Sequence, residues 1–160
     1  MAKKEKYNDD FHLSEVAKRF LEMGLYEFDT HKELTKTDKG VRFAVGYVVE
    51  QSVELNFKQI SYNLFGEYPE KHDLVRICDF LTKNINRQGN LKSSFSLTTL
   101  ATLKRLVMEA LENAQTYGNL AYGAKYVPDL EFSYAELEDL IKLAKDVQLF
   151  YISNKEELCA

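Results

Sequence analysis

Residues 50–60 read EQSVELNFKQI, and the way this stretch is arranged around a helix decides the fold. At about 100° per residue, Val49, Val53, Phe57, Ile60 and Leu64 form one compact apolar stripe. Ser52, Asn56, Gln59 and Asn63 form a neutral polar stripe beside it, the expected solvent side. Gln51, Glu54 and Lys58 fall on a third sector, within about 60° of one another, flanked by Tyr47, Val48, Leu55, Tyr62 and Phe65. A simple surface helix has one apolar and one polar face; this one embeds an amide, an acid and a base among aromatics. Glu54 and Lys58 stand at i, i+4 in the favourable order, so an ordinary helix pair explains them first. Exposed, such a pair contributes only about 0.3–0.5 kcal/mol. In apolar surroundings it is costly unless further partners satisfy both ions, and polar groups held at that cost belong to a structural network or to a site.

The helix holding this stretch spans roughly 40–65 and ends at FGEYP, where Gly66 and Pro69 interrupt the pattern. Four more helical segments surround it, with no convincing strand. The first runs from about Ser14, an expected N-cap, with Val16, Phe20 and Met23 as its apolar face and the polar link THKELTKTDKG after it. The third starts near His72 and carries Leu74, Ile77, Cys78, Leu81 and Ile85 on one face. The fourth carries Leu100, Leu103, Val107, Leu111 and Ala114. The fifth opens with Ser133 and Glu136, a Ser-x-x-Glu capping box, and buries Leu137, Leu140, Ile141, Ala144, Val147 and Tyr151. Both prolines lie between helices. The expected fold is all-α, a four- to five-helix, largely up-and-down bundle. It occupies residues 12–153 as a single domain, between a charged flexible N-terminus, 1–11, and a C-terminal tail, 154–160.

The 160 residues carry 45% hydrophobic and 29% charged side chains, a globular balance, and a net charge of −4. An acidic chain is a poor electrostatic partner for sequence-blind nucleic-acid binding, though one nucleotide or one RNA end can still occupy a local pocket. The start, MAKKEKYNDD, has no apolar signal-peptide core, and FAVGYVV at 43–49 is far short of a membrane span. Cys78 and Cys159 have no neighbours at metal-ligand spacing. The expectation is a cytoplasmic protein with no cofactor, no metal and no membrane partner.

EQSVELNFKQI, followed by GEYPEKHDLVRICDFL, resembles the HEPN family, the higher eukaryotes and prokaryotes nucleotide-binding domain. Its hallmark is a helix with Gln, Glu and Lys at this spacing, then a Pro-containing link and a His-Asp-Leu opening the next helix; here these are Pro69 and His72-Asp73-Leu74. YGAKYVPDLEFSYAELEDLIKLAKDV is similar to the family's later signature, an Arg-Tyr-Pro run before an acidic helix. This chain has Lys125-Tyr126-Val127-Pro128, with one residue inserted. The resemblance spans roughly residues 12–152. It implies a helical bundle, a homodimer, binding of nucleotide or RNA, and a minimal nucleotidyltransferase as partner. Other branches of the family are metal-independent ribonucleases, toxins among them, marked by an Arg followed four to six residues later by His. No Arg and His of this chain have that spacing, and no His follows His72, so the catalytic residues do not carry over.

The residues expected to bind ligand or partner are therefore Gln51, Glu54, Lys58, His72, Lys125 and Tyr126. Imidazole bonds a base edge when neutral and faces phosphate when charged; the plainer role for His72 is to fix the link by bonding Glu54 or backbone. Lys125 and Tyr126 offer a cation and a stacking surface, while Tyr117, Tyr122 and Tyr126 also suit a core with hydroxyls at the rim. A non-catalytic binding domain is the leading expectation. A ribonuclease built on a relocated His72, with Lys58, Arg76 or Lys125 in support, and a structural homodimer joined through the sector around Leu55 and Tyr62 are its rivals.

Overall fold

The computed structural model describes residues 12–87, 96–120 and 130–158. Within them the chain is an all-α bundle: α1 (Leu13–Thr30), α2 (Lys32–Thr37), α3 (Lys39–Phe65), α4 (Leu74–Arg87), α5 (Leu97–Gly118), α6 (Tyr134–Ser153) and α7 (Lys155–Leu158). The link expected between the first two long helices thus folds into α2. The short α7, within the segment read as a tail, buries Leu158.

Helix α3 is the axis, and α1, α2, α4, α5, α6 and α7 all touch it. It starts at Asp38, whose carboxylate accepts from Val41 N–H at 3.0 Å, and stops at Gly66. There φ is 75°, a left-handed conformation that glycine adopts without steric cost. Its apolar stripe, Val49, Val53, Phe57, Ile60 and Leu64, lies in the core as expected. The neutral stripe does not face solvent. Ser52, Asn56 and Gln59 are buried, because α1 and α6 close over that side. Asn56 Nδ2 donates to Gln148 Oε1 on α6 at 2.8 Å, and Gln59 Oε1 accepts from Leu13 N–H at 2.7 Å.

That second bond corrects the start of α1. The helix begins at Leu13, and Ser14 lies inside its first turn, buried, rather than capping it. No side chain of the N-cap, His12, bonds the helix end, and the amide of Leu13 finds its acceptor on α3 instead. The buried face shifts with it. Leu13, Ala17, Leu21 and Gly24 face inward, while Val16 and Met23 are exposed and Phe20 is half-buried. Contacts pair Leu13 with Gln59 and Gly24 with Val49, so α1 runs antiparallel to α3. On the other side Arg42 Nε donates to Phe132 O at 2.6 Å and Asn56 to Gln148, so α6 lies beside α3 in the same direction. The face read for α4 is buried as expected, and so is that of α6, whose capping box is formed. In α5, Leu111 is exposed instead of buried; Leu106, Ala110 and Tyr117 join Leu100, Leu103, Val107 and Ala114 inside.

The close approach of α1 and α3 is fixed at one position. A Cβ on Gly24 would stand 2.6 Å from Val49 Cγ2, and β-branched valine has one strongly preferred χ1 in a helix. Gly24→Ala gains about 1 kcal/mol of helix propensity and loses about 1–3 kcal/mol to overpacking. The expected result of denaturant titration is net destabilisation, removed or reversed when the same change is made in a Val49→Ala background. Equal effects in both backgrounds would show that the contact does not set the spacing.

Candidate functional site

The third sector of α3 is closed by the link that follows it. From Gly66 the chain must return about 18 Å, twelve residues of helix rise, to bring His72 level with Glu54. Six extended residues reach about 20 Å, so the link has almost no slack, which the Pro69-containing extended chain suits. It is tied down along its length. Tyr68 is buried with its ring edge-on to Tyr62 at 6.3 Å, Lys58 Nζ donates to Glu70 O at 3.4 Å, and His72 Nδ1 lies 3.0 Å from Glu54 Oε1. Asp73 then opens α4: its carboxylate accepts from Arg76 N–H and its carbonyl from Ile77 N–H, the arrangement the helix dipole favours.

Glu54 and Lys58 are therefore not a surface pair. Their side chains are 3% and 4% exposed, 3.8 Å apart. Gln51, half-buried, donates through Nε2 to Glu54 Oε2 at 3.2 Å and to Glu50 Oε2 at 2.9 Å. Glu50 is the residue that sequence reasoning missed. It stands four before Glu54 on the same face, a like-charge i, i+4 spacing that is unfavourable when both carboxyls are charged. Burial first, then the hydrogen bond and charge of Glu54, hold the Glu50 carboxyl well above the usual carboxylate range. With a proton on Glu50, the Glu54 carboxylate and the Lys58 ammonium balance one another in the interior. Glu50 Oε1 is buried without a hydrogen-bond partner among the described residues.

His72 joins this interior to the surface. Its side chain is 71% exposed although Nδ1 rests on Glu54. A carboxylate only accepts, so Nδ1 carries the hydrogen and Nε2 is left as the outward acceptor of the neutral ring. The ring lies on the wall of a cavity of about 600 Å³ between the start of α4 and the end of α5. Asp73 and Val75 line one side, and Ala114, Gln115, Gly118 and Asn119 the other.

Four expected site residues, Gln51, Glu54, Lys58 and His72, are thus drawn into one network. Lys125 and Tyr126 lie outside the described residues, as does Tyr122. Tyr117 belongs to the core: it is buried, packs edge-on against Phe132 at 6.4 Å, and burial pushes its hydroxyl up to about 12. Leu55 packs with Leu13 and Ala17 of its own chain, and Tyr62 against Tyr68, so that sector is not a free subunit contact. Cys78 is a buried thiol, pushed up to about 12 by burial and by Asp79, Asp73 and Glu50, which makes it inert. Among the described residues, no group of three His, Cys, Asp or Glu could hold a metal, and no helix is long and apolar enough to cross a membrane.

Two measurements probe the network. Unfolded Glu50 loses its proton near 4.5, and folded Glu50 keeps it to higher pH. Its contribution is therefore full below that value and is lost as pH rises through the folded pKa, at about 1.4 kcal/mol per pH unit between the two. Glu50→Gln, which keeps a donor toward Glu54, is expected to be more stable than the parent at neutral pH and to lose that advantage toward pH 4.5. Parallel stability–pH curves would remove Glu50 from this role. Lys58→Met leaves the Glu54 charge buried without its cation and is expected to cost about 3–5 kcal/mol in chemical denaturation.

No protein-family model matches the chain, and neither a curated protein nor a solved structure matches it; its function is read from the geometry of the site.

Proposed function

We propose that the chain is a non-catalytic HEPN-type helical domain of the cytoplasm that binds a nucleotide or an RNA end in the cavity beside His72, and works with a minimal nucleotidyltransferase. The observation that carries the reading is the position of His72. Its Nδ1 is anchored on a buried carboxylate while the rest of the ring lines an open cavity of about 600 Å³ with Gln115 and Asn119 opposite. Amides and a fixed imidazole read the donors and acceptors of a base edge. Asp73 on the same wall accepts from hydroxyls and repels phosphate, so the cavity suits the base and ribose, with phosphates directed outward.

A second reading has one observation in its favour. A histidine whose Nδ1 is held by a buried carboxylate and whose Nε2 faces out is built like a general base, which suits a metal-independent ribonuclease. The absence of the family's Arg–His spacing weighs against it.

Thermal unfolding with a panel of nucleotides and short oligoribonucleotides separates these. A ligand at a hundred times its Kd stabilises by about 2.7 kcal/mol, or about 5–10 °C for a chain of this size. The shift is expected to disappear in His72→Ala and in Asn119→Ala, the latter leaving the His72–Glu54 bond intact. No shift with any nucleotide at millimolar concentration would sink the binding reading. Metal-free RNA cleavage by the parent and not by His72→Ala would replace it with the ribonuclease.

A further inference from the structure

The first half of α3 is bare of charge where it meets solvent. From Gly40 to Val49 its exposed or half-buried residues are Gly40, Val41, Arg42, Ala44, Tyr47 and Val48. The one ion among them is engaged elsewhere: the Arg42 guanidinium donates to the carbonyls of Phe132, Thr35 and Lys36. A helix face open to water normally carries charged or polar side chains. Helix α1 continues the apolar surface across the seam between the two helices, with Met23 57% exposed and Phe20 half-buried. Apolar side chains gathered on two helices in this way mark an interaction site rather than scattered surface residues.

The surface is also concave. A cavity of about 270 Å³ opens between α1 and α3, walled by Met23, Gly24, Val41, Ala44, Val45 and Val48. Gly24 and Ala44 contribute little or no side chain, which leaves the space. The three valines are stiff at χ1 and hold its wall, while Met23, with three rotatable bonds, can follow the outline of an occupant. An apolar protein cavity of about 150 Å³ takes up benzene, so this one has room for a ring and a short tail.

Polarity in the cavity is confined to one group. Glu27 is the one lining residue with a charged or hydrogen-bonding side chain. Its Oε2 lies 3.0 Å from His31 Nδ1, and Oε1 has no partner among the described residues. A carboxylate accepts hydrogen bonds and attracts cations, and pockets of this kind fix a ligand's orientation with few polar groups. A molecule with an apolar body and an ammonium group is complementary to this lining; a carboxylate or a phosphate is not. We propose that the cavity between α1 and α3 binds a small amine with an aromatic or branched aliphatic body, the body against Val45 and Val48 and the ammonium on Glu27. The site uses other residues than the cavity beside His72 and does not depend on what that cavity binds.

Methionine-methyl NMR of the full chain tests the site, with phenethylamine as the probe. Met23 stands in the cavity wall, and Met108, 56% exposed on α5 and outside the cavity, is a matched control. The probe's ring is expected to shift the Met23 methyl saturably, half-way at about 1 mM, and to leave Met108 unmoved. Hydrocinnamate, a phenyl ring on a short tail that ends in the opposite charge, is expected to bind at least about threefold more weakly, and Glu27→Gln to bring the two probes together. Ala44→Phe fills the cavity and is expected to abolish the Met23 shift. Ala44 is exposed, so the larger ring is not forced into the core, and unchanged helical circular dichroism keeps a folding defect from imitating lost binding. No saturable Met23 shift at about ten times that concentration would overturn the proposal. Equal shifts at Met23 and Met108 would reduce it to unspecific apolar adsorption. Binding that survives Ala44→Phe, or hydrocinnamate bound as tightly as the amine, would overturn it equally.

Discussion

The constraint on which this bundle depends is the enclosure of the middle of α3. Between Val49 and Ser61 every residue but the half-buried Gln51 is buried, yet the segment includes two carboxylic acids, a lysine, three amides and two hydroxyls. A helix covered on all sides is ordinarily apolar all round. Here several polar side chains find their partners on neighbouring segments, while Glu50 Oε1, Ser52 Oγ and Asn56 Oδ1 have none among the described residues. Gln59 accepts the first amide of α1, Asn56 reaches Gln148 on α6, and Glu54 and Lys58 fasten the link to α4. An unmade hydrogen bond in such a place costs about 1–3 kcal/mol, comparable to the apolar gain from burying one large side chain. Polar complementarity therefore selects which faces of α1, the link and α6 turn inward, and the apolar stripe then packs within that choice.

The same constraint explains why a charged cluster and a surface histidine occur together. Glu54 cannot reach water, so its charge is balanced by Lys58 on the helix, and one of its oxygens meets the His72 ring across the link. Glu50, a turn earlier, keeps its proton because a second buried anion would have no cation. What emerges at the surface is a single imidazole with a fixed orientation. The rotamer freedom that an exposed histidine normally keeps has been given up before any ligand arrives.

How much of this was legible from the residues divides along physical lines. Helix existence was readable wherever caps and breakers agreed with the pattern, as at Gly66, Pro69 and the Ser133–Glu136 box. The line of Gln51, Glu54 and Lys58 and the core faces of α4 and α6 were readable from spacing, whereas His72 was left to bond either Glu54 or backbone and the structure places it on Glu54. The face of α1 was not, because Val16, Phe20 and Met23 are as periodic as the face that is buried, and Gly24 carries no hydropathy signal for a close helix contact. The neutral stripe of α3 misled for a related reason: Ser, Asn and Gln look solvated until a partner such as Gln148, ninety-two residues away, is seen. Periodicity reports that a face exists; it does not say which of two faces the fold will cover.

Helix α5 shows where that ambiguity carries meaning. Its spacing admitted Leu111 to the core, and the structure places it outside, in a second seam of Leu97, Met108 and Leu111. Lys104 and Arg105 precede Met108 in that row, and Glu109 and Glu112 follow it. The cavity beside His72 lies between this helix and the start of α4, with the histidine anchored to α3 on one wall and Gln115 of α5 on the other.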